Sequence, residues 1–469
     1  MDGFEIEVLN RLPLAEAVPT LFRYVANDQV LSEIFDQNRG RAYQNCLTFD
    51  TLVDVVFKAL LVHEGSGRTS FAAARDSGTM EVTDQAAYGK LRRTPVAVSE
   101  ALLSTVSHRL TDLIPSMEVR SVPACFAVYE LIHIDGKKIK KLAKRLKLLR
   151  GVTGSLLGGK VLAAINGRTG LAIAMSSALD GEANDAPLVP TLVPQVRART
   201  ARLRLWAADR QFCDLTIPHL LSENGDAFVI RHCLKMKFYP DPARPAKTAV
   251  DSQGRKLREE WGWVGSVTDK RRMYVRRITL DRPGEESIIV LTNLLDGDKF
   301  PAWAIMEVYR ERWQIERVFQ QVTEVFQLQR LIGSSPQAAI FQSSLCFILY
   351  NLIQVIRGYV AKANRVAPET ISSEMLFRDV HKQMICYTEL VTTLMPERVL
   401  EIPLEAIAVR RRLTDLLRGV WSDQWEKSPP KKNYKPTAKT QKVAGGHSSA
   451  WKLLETARSA TRRTRRENK

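Results

Sequence analysis

Three carboxylates stand where they could hold divalent cations: Asp135, Asp209 and Glu316. Asp135 closes the β-prone run CFAVYELIHID and precedes Gly136. Asp209 closes a second such run, LRLWAAD, and Glu316 falls inside a segment of helical periodicity. A carboxylate directly after apolar strand residues sits at a sheet's edge, where desolvation is costly unless a cation or partner compensates. Two such acids, with a third on a crossing helix, can converge on a pair of metal ions suited to in-line attack on phosphate. Singly they carry little, because the chain has 51 Asp and Glu and most acids face water.

The helical segment gives a sharper pattern. Tyr309, Arg312 and Glu316 are spaced three and four apart, so they share one face. Trp303, Ile305, Val308, Ile315, Val318, Phe319 and Val322 supply apolar packing around it. The run from Pro301 to Leu331 has no Pro or Gly inside it and predicts one long amphipathic helix. Arg312 and Glu316 also read as an ordinary i,i+4 ion pair on a wet face. Directly after Asp135 comes KKIKKLAKRLKLLR, Lys137 to Arg150, with eight bases and no acid. Its place beside the first carboxylate favours phosphate binding, with Lys137 and Lys138 foremost; a solvated loop is the plainer alternative.

These side chains must be held by a mixed α/β framework. Residues 1–120 read as helical, with Leu52, Val55, Val56, Ala59 and Leu60 on one apolar face. SFAAARDSG, TMEV and TDQAAYGKLRR then suggest two helices joined by a turn at Gly78, the second capped by Thr83 or Asp84. Read as a helix-turn-helix, this unit offers Gln85, Tyr88, Lys90, Arg92 and Arg93 to DNA; two ordinary packed helices explain it equally well. Beyond residue 125 come a strand, the hairpin KVLAAI–NGRTG–LAIAMSS, a part-helical stretch over 184–197, and strands LRLWAAD and FVIRH. Prolines 240, 242 and 245 with WGWVGSVT and RRMYVRRITL predict short antiparallel strands over 234–287. SIIVLTNLL returns to a buried strand, and helices follow from 336 to about 420. The expected units are therefore 1–120, 121–233, 234–287, 288–360, 361–426 and a tail, 427–469.

Bulk properties narrow the partner. Lys and Arg outnumber acids 69 to 51, a net charge of +18 that favours a polyanion, nucleic acid before membrane. The tail holds thirteen Lys or Arg against two Glu, and reads as disordered with a short helix at Trp451 to Arg458. Six scattered cysteines form no CxxC, so neither a zinc knuckle nor a disulfide framework is indicated, and a reducing cytosol is expected. The acidic start MDGFEIEVLN lacks a signal pattern. The apolar run from Leu345 to Ile356 reads as a buried helix too short to span a bilayer.

Residues 309–323 resemble the Y-x2-R-x3-E-x6-K signature of insertion-sequence DDE transposases, in the group usually called the IS-four family. VLTNLLDGDKFPAWAIMEVYRERWQIERVFQ is similar to their long C-terminal block, and IHIDGKK and ADRQF to the surroundings of their two aspartates. The resemblance covers roughly residues 125–360. It implies a ribonuclease-H-like core with a β-strand insertion, a helical DNA-binding N-terminal domain, a helical C-terminal region and a basic tail. It implies catalytic and metal-binding roles for Asp135, Asp209 and Glu316 with two Mg²⁺ or Mn²⁺ ions. The activity implied is cutting element ends and joining them to target DNA, as a homodimer on paired ends, in the cytoplasm at the nucleoid. Tyr309 and Arg312 would place the terminal phosphate and base. The signature's lysine falls on Thr323, which can hydrogen-bond a phosphate but brings no charge; Gln320 and Arg330 are the nearby substitutes. In relatives that make DNA hairpins the insertion carries a tryptophan that stacks on a flipped base. Trp261 and Trp263 are the candidates, with core packing the alternative for either.

Overall fold

The computed structural model describes residues 11–42, 46–115, 122–251, 253–282, 284–394, 405–427 and 446–467. The first ten residues and positions 428–445 of the basic tail, for which sequence expectations were given, lie outside that set.

Six helices open the described chain: α1 (Pro13–Val25), α2 (Asp28–Asn38), α3 (Phe49–Leu61), α4 (Gly67–Asp76), α5 (Asp84–Arg93) and α6 (Val96–Thr111). Side-chain caps set several of their starts: Thr48, Ser66 and Thr83 each accept from the backbone N–H three residues on. Gly78, between α4 and α5, has φ +71°, a turn conformation that favours glycine. Two of the five residues on α5's expected DNA face are otherwise engaged. Tyr88 packs edge-on against Phe71, and Lys90 donates to the carbonyl of Leu47, leaving Gln85, Arg92 and Arg93 exposed.

The sheet begins with β1 (Tyr129–Lys138), β2 (Ser155–Leu157), β3 (Lys160–Asn166) and β4 (Ala172–Ala178). After α7 (Val189–Arg199) come β5 (Leu203–Ala208), α8 (Thr216–Ser222) and β6 (Ala227–Arg231). Then follow β7 (Phe238–Pro240), β8 (Lys247–Val250), β9 (Lys256–Val264), β10 (Met273–Leu280) and β11 (Ile288–Thr292). The main sheet runs β4-β3-β1-β5-β6-β11-β10-β9-β7, with β8 also paired to β9. β3 is antiparallel to both of its neighbours, β4 and β1, whereas β1, β5 and β6 are parallel. The strands expected over 234–287 do form. They extend this sheet through the β11–β6 pairing rather than standing as a separate layer.

Alternation along β1 and β5 assigns their side chains to two cores. Leu131 and Leu205 join one with α9 (Ala302–Glu311). Ile132, Ile134, Trp206 and Ala208 join a larger one that takes in the N-terminal helices and α11 (Pro336–Asn364). The N-terminal helices thus share a core with the sheet.

Three further expectations need correction. The single helix over 301–331 is two: α9 ends at Glu311, and α10 (Gln314–Glu324) begins after Arg312 and Trp313. Backbone bonds from Arg312 to Tyr309, Trp313 to Arg310 and Ile315 to Arg312 span three residues, so the chain tightens there without Pro or Gly. The apolar run at Leu345–Ile356 belongs to a 29-residue helix, α11, long and apolar enough by length and composition to cross a membrane. Its most apolar window is entirely buried within the protein. After α12 (Ser373–Leu394) and α13 (Ala406–Leu416), part of the tail is ordered. β12 (His447–Ser449) pairs in parallel with β2, and α14 (Ala450–Glu467) follows.

Candidate active site

The parallel register aligns Leu131 with Leu205 and His133 with Ala207. Asp135 lies two residues further along β1, and Asp209 follows Ala208, the last residue of β5; the two carboxylates are near enough to interact electrostatically. Both project on the side covered by α9 and α10. Burial pushes the Asp135 carboxyl up to about 6; Arg312 and the Gly136 N–H oppose this, and the neighbouring carboxylates Asp209 and Asp185 add to it. Gly136 faces the other way. A Cβ there would fall 2.0 Å from Asp185 Oδ1, so only glycine lets the strand lie over the buried Lys160–Asp185 pair.

Arg312 sits at the break between α9 and α10 with its side chain 4% exposed. It lies 3.3 Å from Asp135 Oδ2 and 3.6 Å from Glu316 Oε1. Burial works against its charge, but Tyr309, Asp135 and Asp209 more than offset this and hold its pKa above the usual value. Tyr309 lies under the guanidinium, 5.8 Å from ring centre to Cζ, and is itself buried. Its position makes it a support for Arg312 and not, as expected, a surface offered to a DNA base.

Glu316 stays 44% exposed and lines an open depression of about 700 Å³ with Asp135, Lys137, Trp313, Arg317, Phe319 and Gln320. Among the described residues, no three acidic, histidine or cysteine side chains stand close enough to hold an ion as they are. Asp135 and Asp209 adjoin, and Arg312 stands between Asp135 and Glu316. The donor set still suits a hard divalent cation. It offers carboxylate oxygens and no sulfur, and burial has left Asp135 short of compensating positive charge.

The remaining expected residues divide. Lys137 faces the depression with Asp135, over the Phe319 ring at 5.8 Å, and burial lowers its pKa. Lys138, one residue on, takes the opposite side of the strand and is exposed. The Thr323 hydroxyl donates to its own helix at Phe319 O, 2.7 Å, so its proton is not available to a phosphate. Gln320 bonds Glu324 at 3.0 Å. Arg330 lies beyond the end of α10, off the helical face expected for it, and pairs with Glu64. Trp261 is buried: its indole donates to Leu295 O at 2.9 Å and its ring stacks under Arg244 at 4.0 Å. It cannot stack on a base without unpacking. Trp263 is half-buried against Tyr274 and Arg272. Trp303, expected to pack, is 48% exposed.

Two residues of the depression escaped the sequence reading. Trp313 is 54% exposed and Arg317 is exposed beside it. A helix taken as continuous put Trp313 on an unremarked face; the break turns it outward next to Arg312.

Asp135 on β1, with the buried Arg312 beside it, thus stands at an open depression rimmed by Lys137 and Arg317, and Asp209 follows the end of the neighbouring parallel strand β5. Residues 134–352 match the family model described as the transposase DDE domain. A Sinorhizobium fredii protein that bears the name of a transposase, y4zB, is 32% identical over 92 residues, covering 20% of this chain. The match spans 24% of that relative's length. Among solved structures, a piggyBac transposase in a synaptic complex with hairpin DNA has a TM-score of 0.43, 12% identity and 88% coverage of each chain.

Proposed function

We propose that the chain is a DNA transposase that cuts the ends of its own mobile element and joins the 3′ ends to target DNA. The observation that carries this is the nearness of Asp135, on β1, to Asp209, just past the end of the parallel neighbour β5, with the Asp135 carboxyl pushed up to about 6. Three antiparallel strands followed by two parallel ones support a ribonuclease-H-like core over 121–233 and 288–360. The strands of 234–287 are its insertion, residues 1–120 its DNA-binding helical part, 361–426 a helical C-terminal region and 427–469 a basic tail. The chain acts as a homodimer on paired ends in the cytoplasm, at the nucleoid.

Asp135 and Asp209, with Glu316, would hold two Mg²⁺ or Mn²⁺ ions. When bound, these supply an activated attacking oxygen and stabilise the leaving one. The chain's own residues do the rest. Tyr309 holds Arg312 in place, and the Arg312 guanidinium, already beside Asp135, binds a non-bridging phosphate oxygen. Lys137 neutralises the adjoining phosphate. Trp313 and Trp263 offer faces on which an unpaired base can stack, worth roughly 1–3 kcal/mol per base. The wall of Phe319 limits water on one side.

A second reading, a weakened or domesticated DNA-binding derivative, is favoured by Thr323, whose hydroxyl is spent within its own helix. A nuclease of the same fold is a third. One assay separates them: purified protein, Mg²⁺, element-end DNA and a target plasmid. A transposase yields joined product, and Asp135→Ala or Asp209→Ala lowers cleavage at least ~10³-fold with end binding retained. Metal-dependent nicking that survives Asp135→Ala sinks the site assignment. Cleavage without joined product selects the nuclease, and binding without cleavage selects the derivative.

A further inference from the structure

The basic run after Asp135 is not a loose loop. Ile139, Leu142 and Leu149 are buried, and backbone bonds tie Ile139 to Gly158 and Gly159, and Leu142 to Leu156. Seven of its eight Lys and Arg are nevertheless exposed, all but Lys137. No acid occurs between Lys137 and Leu179, and among the described residues no ion pair engages those seven.

The edge of β2, which closes this run, is taken by the C-terminal segment. His447, Ser448 and Ser449 pair with Ser155, Leu156 and Leu157, and the Ser155 N–H donates to Gly446 O at 3.2 Å. Ala450 is fully buried, and Leu453 and Leu454 lean on the core. Lys452 pairs with Asp180 and Glu182, anchoring the first turn of α14. Beyond that anchor the helix, packed on the turn at Lys147–Leu149, continues through a sequence with five Arg and two Glu to position 467.

We propose that the run 138–150 and the docked segment 446–467 form one DNA-binding surface, separate from the carboxylate depression, that grips the phosphate backbone of duplex DNA. Charge complementarity singles out a polyanion. The exposed cations of the run are strung along the chain from Lys138 to Arg150, which suits a rod of phosphates better than a small anion. This rests on the transposase reading only for which DNA is held, not for the binding itself.

The test uses the full-length protein in EDTA with a 40-base-pair duplex (~40 bp of arbitrary sequence), reading affinity across a salt series and hydroxyl-radical protection. Lys140→Glu/Lys144→Glu/Lys147→Glu should keep the thermal midpoint and lose about 3 from the salt slope, at about 0.9 per phosphate contact. Affinity should fall at least ~10-fold near 0.1 M salt. Ala450→Glu, which undocks α14, should remove part of the same protection and cost less in the triple-variant background than alone. An unchanged salt slope in the triple variant overturns the proposal, as does unchanged protection with Ala450→Glu. Loss of a protein dimer with DNA affinity intact overturns it too, in favour of a second copy as the occupant. Because no cleavage is read, a failure of end cutting would sink the transposase reading while leaving this result standing.

Discussion

In the β9–β10 ladder, the guanidinium of Arg276 is wholly buried and fully engaged. It donates to Glu259 at 2.9 Å and to the carbonyls of Leu294 and Phe300. Next to it Glu260 accepts from both Arg258 and Arg277. Where β1 passes the end of β5, in the same sheet, Asp135 has among the described residues only Arg312 at 3.3 Å and its neighbour's N–H, against two other carboxylates. Burial, which this pairing does not fully offset, pushes its carboxyl up to about 6. The chain thus buries charge in both places and completes the pairing in only one. A completed buried pair is architecture; an incomplete one at an open depression marks where an outside cation or phosphate is meant to finish the set.

The contrast can be broken by substitution. Arg276→Met strands the Glu259 carboxylate and should destabilise the protein by about 3–5 kcal/mol in denaturant unfolding. Arg276→Met/Glu259→Leu should recover most of that loss, and failure to recover would mean that the ladder depends on the pair for shape as well as charge. Asp135→Asn should act in the opposite direction when metal is removed with EDTA. The folded pKa lies above the unfolded one, so the wild-type protein loses stability as pH rises from about 4 through 6. The Asn variant escapes that loss, gaining up to about 3 kcal/mol at pH 7.5 and nothing near pH 3.5. Equal stability of the two at both pH values would remove the case for an under-compensated site. The smallest effect concerns α10. Thr323→Lys should bind end DNA a few-fold tighter and steepen the salt slope by up to about 0.9. A slope that does not move would mean that position 323 does not reach the phosphates.

Much of this was legible in the residues, and the exceptions have physical causes. β1, β5 and the 160–178 hairpin follow from apolar runs closed by Asp, Asn and Gly; Asp209 does follow the last residue of β5, but β1 does not end at Asp135 as expected, because its pairing with β3 carries it on to Lys138. Parity along β1 would also have separated Lys137 from Lys138. The break at Arg312–Trp313 carries no Pro or Gly, and its buried arginine pairs with a residue 177 positions away. Local periodicity cannot register that. The order of the C-terminal segment likewise depends on three residues adding to a distant strand edge. Trp261 and Trp263 lie two positions apart on one face of β9, yet the burial of Trp261 is set by Arg244 and Leu295, which only the fold brings there.

The ladder that holds Trp263 is bonded through β11 and β6 into the strand that ends at Asp209. No hinge separates them, so the insertion cannot reach out and fold back like an arm. A load applied at its tip is shared across a twisted plate and arrives at the carboxylates as a slight tilt. Under the function proposed above, compliance would come from the nucleic acid, which would be bent or unstacked to meet both places at once. Over 20–30 base pairs such bending costs on the order of 1–6 kcal/mol, so sequences that deform readily would be preferred without any base being read.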